Sequence, residues 1–141
     1  MLFRSLSGTM LAESNQLRND LNTGPNTAAA YTGQTFLSDH YSKVTLSSIA
    51  NDSFIGVLVR GQTGAATYYA YIANSTSSKL IRSVSGTVTT LQTGSGLSSS
   101  AVLELRAFGS VLSARVNGQL KHQVVDTTIS GGSPGVAGEV V

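Results

Sequence analysis

The sequence predicts an all-β protein, folded as an antiparallel sandwich or barrel. About ten short segments alternate apolar and polar residues with a period of two, as half-buried strands do. Clusters of Gly, Asn, Asp, Pro and Ser separate these segments at spacings of roughly 8 to 12 residues. No segment has a convincing helical period.

The first third of the chain predicts short strands. They are expected at residues 10–13, 16–18, 28–32, 35–37 and 40–48. The turn cluster from Asn22 to Thr27, centred on Gly24 and Pro25, precedes the third of them. In the last, Val44 and Leu46 alternate with Tyr41 and Lys43, which indicates one buried face and one exposed face.

The middle stretch, Phe54 to Asn74, predicts a hairpin around which the rest of the chain is organised. Val57 and Val59 alternate along its first arm, and Tyr69 and Tyr71 along its second. Gly61 to Gly64 supplies the turn between the arms.

The remainder predicts two further hairpins and a last short strand. One hairpin turns at Gly86 and the other at Asn117-Gly118, the strongest type I′ signal in the chain. We expect loops at 74–79, 94–100 and 127–135, and a final strand at 136–141. The predicted core is apolar throughout: Val44, Leu46, Ile55, Val57, Val59, Leu103, Leu105, Leu112, Ala114 and Val116.

Length and composition set the broad class. The 141 residues predict a single domain spanning 1–141, large enough to bury a core. The absence of cysteine excludes disulfides, thiolate metal sites and cysteine nucleophiles. Only 11% of residues are charged, and the net charge of +2 comes without a Lys/Arg cluster, so no nucleic-acid partner is expected.

Composition also suggests where the protein works. A surface rich in Ser, Thr and Gly is typical of β domains outside cells or on virus particles, so we expect an extracellular or virion-surface location. The start, MLFRSLSGTML, holds no signal-peptide core, and no segment is long enough for a membrane span.

The order of the motifs resembles the concanavalin A-like lectin/glucanase superfamily, specifically its laminin-G-like jelly rolls. The matching stretches run from about Leu17 to Gly135: DHYSKVTL, GVLVRG with YYAYIA, LIRSVSGTVTTL, VLELRAFGSVLSARVNG and DTTISGGSPG. The resemblance implies a jelly-roll β-sandwich that binds glycans.

Two strands of the family pattern are not evident in this sequence. The acidic-aromatic first strand, with its calcium ligand, and the last strand that pairs beside it are not evident, so we expect the chain to lack both. No cofactor is expected, although calcium bound through Asp39, Asp52 or Asp126 stays open. Sheet edges left open would favour an oligomer, or a place in a larger assembly.

The candidate ligand site is a polar sheet face. Arginines alternate with apolar residues on several predicted strands, and guanidinium forks with a stacked tyrosine ring suit a sugar. The site residues predicted in this way are Arg60, Tyr69, Tyr71, Glu104, Arg106 and Arg115. The alternative is a solvated face with tyrosines that merely fill the core.

Catalytic and metal sites are not predicted. The nearest pair of carboxylates that could act together, Glu13 and Asp20, is separated by seven residues, unlike the close pairs of glycosidases on this fold. His40 and His122 form no ligand motif.

We therefore expect a non-catalytic glycan-binding or adhesion module. The alternative is a structural subunit, such as a virion decoration or surface-lattice protein, that contacts copies of itself or a neighbouring structural protein.

Overall fold

The computed structural model describes residues 3–7, 10–13, 16–19 and 26–140, with side chains from 27 to 139. This part of the chain is all-β, contains no helix, and forms a sandwich of two antiparallel sheets. The predicted fold class is confirmed. Since no helix is present, none of the described residues forms a helix able to cross a membrane.

Within the described ranges, thirteen strands make up three sheets. Their bounds are β1 Phe3–Ser7, β2 Met10–Glu13, β3 Gln16–Asn19, β4 Asn26–Tyr31, β5 His40–Thr45, β6 Ser53–Gln62, β7 Thr67–Ala73, β8 Ser77–Val84, β9 Thr87–Ser95, β10 Val102–Phe108, β11 Val111–Val116, β12 Gln119–Val125 and β13 Ser133–Val140. The large sheet has seven strands in the order β1-β4-β13-β6-β7-β8-β9, and the small sheet has four in the order β12-β11-β10-β5. Strands β2 and β3 pair with each other as a separate hairpin.

The main core lies between the large and small sheets. All ten predicted core residues belong to it, eight of them buried and the other two, Val44 and Ile55, partly buried against them. Tyr69, Tyr71 and Leu80 add three large side chains, none more than 1% exposed, that the predicted core did not include. The alternation of apolar residues therefore identified the inward faces of β6, β10 and β11.

The large sheet is buried on its other face as well. A second apolar cluster there includes Phe54, Leu58, Tyr68, Ile72 and Ile81, all of them buried. The β2–β3 hairpin contacts β4 and β13 of this sheet and forms an additional layer against it. Burial on both faces explains why β6 and β7 are apolar almost throughout.

The predicted hairpins form, with turns of the expected geometry. Asn117 and Gly118 have φ of 51° and 82°, and Ser85 and Gly86 have φ of 50° and 86°. Positive φ at both central residues is the type I′ pattern, whose twist matches that of the flanking strands. The turn residues therefore predicted both turns, although a register shift follows along each hairpin, at Leu80/Ile81 and at Ala114/Arg115.

Four details differ from the sequence predictions. Residues 35–37 form no strand, because the chain crosses there from the large to the small sheet, with Phe36 packed edge-on against Tyr31. Strand β1 was not predicted, and β8 begins at Ser77, inside a segment that was expected to be a turn. The last strand, β13, is longer than predicted and lies between β4 and β6, inside the large sheet.

Candidate functional site

The six predicted site residues do not share one surface. Glu104, Arg106 and Arg115 lie together on the outer face of the small sheet, where β10 and β11 pair. Arg60, Tyr69 and Tyr71 are 3%, 0% and 1% exposed, all inside the sandwich. The alternation pattern placed Glu104, Arg106 and Arg115 on a common face, as the structure does, but it assigned Arg60 wrongly. Tyr69 and Tyr71 fill the core, which was the alternative weighed for them.

Arg60 is buried because the strand is irregular at that point. The β6–β7 register shifts between Val59 and Gln62, and Arg60 takes a left-handed φ of 52°. Its guanidinium donates to the carbonyl oxygens of Ser38, Ile129 and Gly109 at 3.1, 3.0 and 2.7 Å. These bonds connect three loops, so the side chain stabilises the fold and is not available to bind a ligand.

Tyr69 belongs to a second buried network. Its hydroxyl donates to Oδ1 of Asp126 at 2.5 Å and accepts from the Ile129 N–H at 3.0 Å. Arg82 Nη1 donates to the other carboxylate oxygen of Asp126, also at 2.5 Å. Burial, together with the Asp126 carboxylate, raises the pKa of Tyr69 to about 12, so the hydroxyl stays a donor.

A surface that we call the small-sheet face remains open. It is the outer face of β5, β10, β11 and β12, and cross-strand register places its side chains in rows. Its residues are Tyr41, Lys43, Glu104, Arg106, Phe108, Val111, Ser113, Arg115, Leu120, Gln123 and Val125. The face combines charged, hydroxyl and apolar groups within four neighbouring strands.

Glu104 is the centre of the charged part of this face. It is only 6% exposed, and Lys43 and Arg115 lie directly opposite it on the two neighbouring strands. Arg106 pairs with its carboxylate, and this hydrogen bond raises the pKa of Arg106. The three cations around this one carboxylate leave a surplus of two positive charges.

Arg115 has donor capacity to spare. Its Nε is buried and has no hydrogen-bond partner within the part of the chain that the structure describes. A buried N–H without a partner is unfavourable, so Arg115 is held in this position at a cost to stability.

The apolar part of the face is unusually exposed. Of the six large hydrophobic residues that are exposed among the described side chains, four lie here: Tyr41, Phe108, Leu120 and Val125. Tyr41 is 60% exposed and sits opposite Arg106, whose guanidinium carbon lies 5.8 Å from the centre of its ring. Exposed apolar side chains clustered beside polar ones mark interaction surfaces.

Tyr41 was not among the predicted site residues. Its alternation with Ser42 and Val44 assigned it to the polar face of β5, but only the pairing of β5 with β10 brings it beside Arg106. That pairing joins strands some sixty residues apart in the chain, so no local pattern reveals it.

The residues weighed for catalysis or metal binding are dispersed. Asp126 is bound by Tyr69 and Arg82, and Asp39 accepts from the Gly109 N–H at 2.8 Å. His122 instead contacts Gln92. Among the described residues, no group of three His, Asp or Glu side chains could hold a metal ion. Glu13 and Asp20, the nearest carboxylates in the sequence, lie outside the described side chains.

Comparison with known proteins identifies the fold. No protein-family model and no curated protein sequence matches the chain. Among solved structures, the carbohydrate-binding module CBM66 from Bacillus subtilis superposes with a TM-score of 0.79 at 12% identity, over 96% of this chain and 86% of the module.

Two further structures share the architecture. Sheep galectin-11, in complex with glycerol, superposes with a TM-score of 0.55 at 12% identity, over 84% of this chain and 92% of the galectin. A Bacillus licheniformis β-glucanase superposes with a TM-score of 0.53 at 15% identity, over 96% of this chain, which spans 62% of the enzyme. The chain therefore has the concanavalin A-like jelly-roll fold, which binding modules and an enzyme share.

Proposed function

We propose that this protein is a non-catalytic glycan-binding module that works outside the cell and binds through the small-sheet face. The observation that carries the proposal is the convergence of an exposed tyrosine ring, a guanidinium and a buried carboxylate on one open surface. Two structures of similar fold, a carbohydrate-binding module and a galectin, support the choice of glycan as the ligand class.

The chemistry of the face suits a sugar ring. Tyr41 offers a flat apolar surface to the C–H groups of the ring, and its exposure leaves that surface free. Arg106 and Arg115 offer N–H donors to hydroxyl or carboxylate oxygens. Glu104 aligns Arg106 beside the tyrosine through their ion pair, so the donors are positioned before the ligand arrives.

The test is retention on an array of immobilised glycans, comparing the wild-type chain with Arg106→Ala and Arg106→Lys. We expect Arg106→Ala to lose binding and Arg106→Lys to recover only part of it, because lysine keeps the charge but not the fork. Val84→Ala, at an exposed apolar residue of the large sheet, is the control and should bind normally. Retention of the same glycans by folded Arg106→Ala would disprove the proposal.

A second function is supported by a row of apolar residues on the same face. Phe108, Val111 and Val125 lie side by side on β10, β11 and β12, and Phe108 and Val125 are 74% and 73% exposed. This row favours a structural subunit, of a virion or surface lattice, that packs against copies of itself.

Light scattering distinguishes the two functions. A subunit that assembles through this row would form particles larger than one chain, and Phe108→Ser with Val125→Ser would return them to monomers. A stable contact of this kind buries about 1,000 Å² or more. A wild-type monomer at micromolar concentration would contradict the structural function and leave the glycan-binding proposal intact.

A further inference from the structure

A separate, concave site lies at one edge of the sandwich, away from the small-sheet face. A cleft of about 400 Å³ opens between β9, the edge strand of the large sheet, and β12, the edge strand of the small sheet. It is lined by Tyr71, Ser78, Gly94, Ser95, Gly96, Leu97, Ser98, Ala101, Val116, Asn117, Lys121 and His122. We call it the edge cleft.

The edge cleft has an apolar floor and a polar rim. Tyr71, Ala101 and Val116, all buried core residues, form the floor. Serine hydroxyls, an amide, an ammonium and an imidazole form the rim. Small-molecule sites are commonly of this size and combine an apolar surface with a few converging polar groups.

His122 offers an acceptor to the edge cleft. Its Nδ1 lies 2.8 Å from Oε1 of Gln92, an acceptor, so Nδ1 carries the proton and Nε2 keeps its lone pair. Burial, with the charge of Lys121, lowers the pKa of His122, which favours the neutral ring. Its ring packs edge-on against Tyr71, with 5.7 Å between their centres.

Other groups supply donors. Oδ1 of Asn117 accepts from the Val102 N–H at 2.9 Å, so its amide nitrogen is the group left as a donor for a ligand. Lys121 adds an exposed ammonium. No carboxylate is present among the described residues that line the edge cleft, so the acid pair that glycoside hydrolysis requires is not supplied there.

From this arrangement we infer that the edge cleft binds one neutral sugar ring, separately from the small-sheet face. A sugar ring presents C–H groups on one side and hydroxyls around its rim, and each hydroxyl both donates and accepts. Those properties match an apolar floor surrounded by the His122 acceptor and the Asn117 and Lys121 donors. The inference does not depend on the function proposed for the small-sheet face.

Gly94 gives a direct way to fill the edge cleft. A Cβ at this position would lie 2.8 Å from Ser78 Oγ and 2.9 Å from His122 Nε2. Gly94→Ala therefore places a methyl group between two polar side chains that line the edge cleft. Gly131→Ala is the matched control, since its Cβ would meet only Ser38 Oγ at 3.8 Å.

The experiment is an amide NMR titration of the whole chain with the methyl glycosides of glucose, galactose and mannose. We expect at least one glycoside to shift the amides of Gly94, Gly96 and Asn117. We expect Gly94→Ala to weaken this binding by about tenfold or more, or about 1.4 kcal/mol, because the methyl group displaces the His122 acceptor, while Gly131→Ala leaves it unchanged.

Two further variants keep the inference testable if Gly94→Ala fails to fold. His122→Phe keeps a ring against Tyr71 but removes the acceptor, and it should weaken binding to a similar degree. Arg106→Ala, on the small-sheet face, should leave edge-cleft binding unchanged, which separates the two sites. Absence of shifts with all three glycosides, shifts unaffected in folded His122→Phe, or shifts produced by acetate but not by sugars would each overturn the inference.

Discussion

The hydroxyl of Tyr69, in the middle of β7, donates a 2.5 Å hydrogen bond to the carboxylate of Asp126, just after the end of β12. The bond joins the centre of the large sheet to the chain that leaves the small sheet. Arg82 and the Thr128 N–H bind the same carboxylate, so Asp126 fixes the start of the loop that leads to β13. A polar network of this kind predicts a measurable dependence of stability on pH.

Asp126→Asn should remove a stabilisation that the wild-type protein has near neutral pH and loses in acid. Burial alone would raise the pKa of Asp126, but hydrogen bonds from Tyr69, Thr128 and Arg82 lower it from 3.8 to about 2. The wild-type free energy of unfolding should therefore hold its full contribution above pH 3.8 and lose about 2 kcal/mol as the pH falls through about 2. Urea unfolding at a series of pH values measures this loss, which the variant should lack. Asp52→Asn, at an exposed carboxylate, should retain the wild-type profile.

Arg60→Ala should destabilise the fold strongly. The substitution removes donors from the carbonyl oxygens of Ser38, Gly109 and Ile129, and it leaves those groups in a site where the arginine is only 3% exposed. We expect a loss of about 3 kcal/mol or more. Chemical denaturation measures the loss, and Lys121→Ala, at an exposed cation, should change stability by less than about 0.5 kcal/mol. Equal effects of the two substitutions would contradict the structural role of Arg60.

Ser85→Asn should stabilise the protein. Ser85 has a φ of 50° and precedes Gly86, so the variant creates the Asn-Gly pair that suits this turn best. We expect a gain of about 0.5 kcal/mol, measured by thermal or urea unfolding. The reciprocal change, Asn117→Ser, should cost about 1 kcal/mol, because the Asn117 side chain also accepts from the Val102 N–H. A destabilised Ser85→Asn would show that this turn is not of type I′.

Tyr41 should contribute to ligand binding through its ring rather than its hydroxyl. If glycans bind at the small-sheet face as proposed, Tyr41→Phe should keep the affinity of the wild-type protein. Tyr41→Ala should weaken the affinity by about tenfold, or 1.4 kcal/mol. Isothermal titration with a glycan retained by the wild-type protein measures both. Similar losses in the two variants would assign the contribution to the hydroxyl.

Ionic strength should separate acidic from neutral glycans. The small-sheet face has a surplus of two positive charges around Glu104, from three cations and one carboxylate. Sulfated or uronic-acid glycans should therefore bind more tightly than their neutral analogues at low salt. The preference should decline as salt shortens the range of electrostatic attraction to about 8 Å at physiological ionic strength. A preference that salt does not change would exclude this electrostatic origin.

Local pattern in the sequence was enough to determine the fold class and most of the core. Alternation indicated the inward residues of β6, β10 and β11, and turn residues such as Asn117-Gly118 indicated where the hairpins turn. It also placed Glu104, Arg106 and Arg115 on one polar face, since these positions follow a period of two on strands joined by a short turn.

Only the tertiary structure decided which residues meet across distant strands. The pairing of β5 with β10 brings Tyr41 to Arg106, and the edge strands β9 and β12 of the two sheets line the edge cleft. The irregularity between Val59 and Gln62 turns Arg60 inward, against the alternation that assigned it to a polar face. Each depends on contacts between parts of the chain far apart in sequence, whereas the period of a strand is a property of neighbouring residues alone.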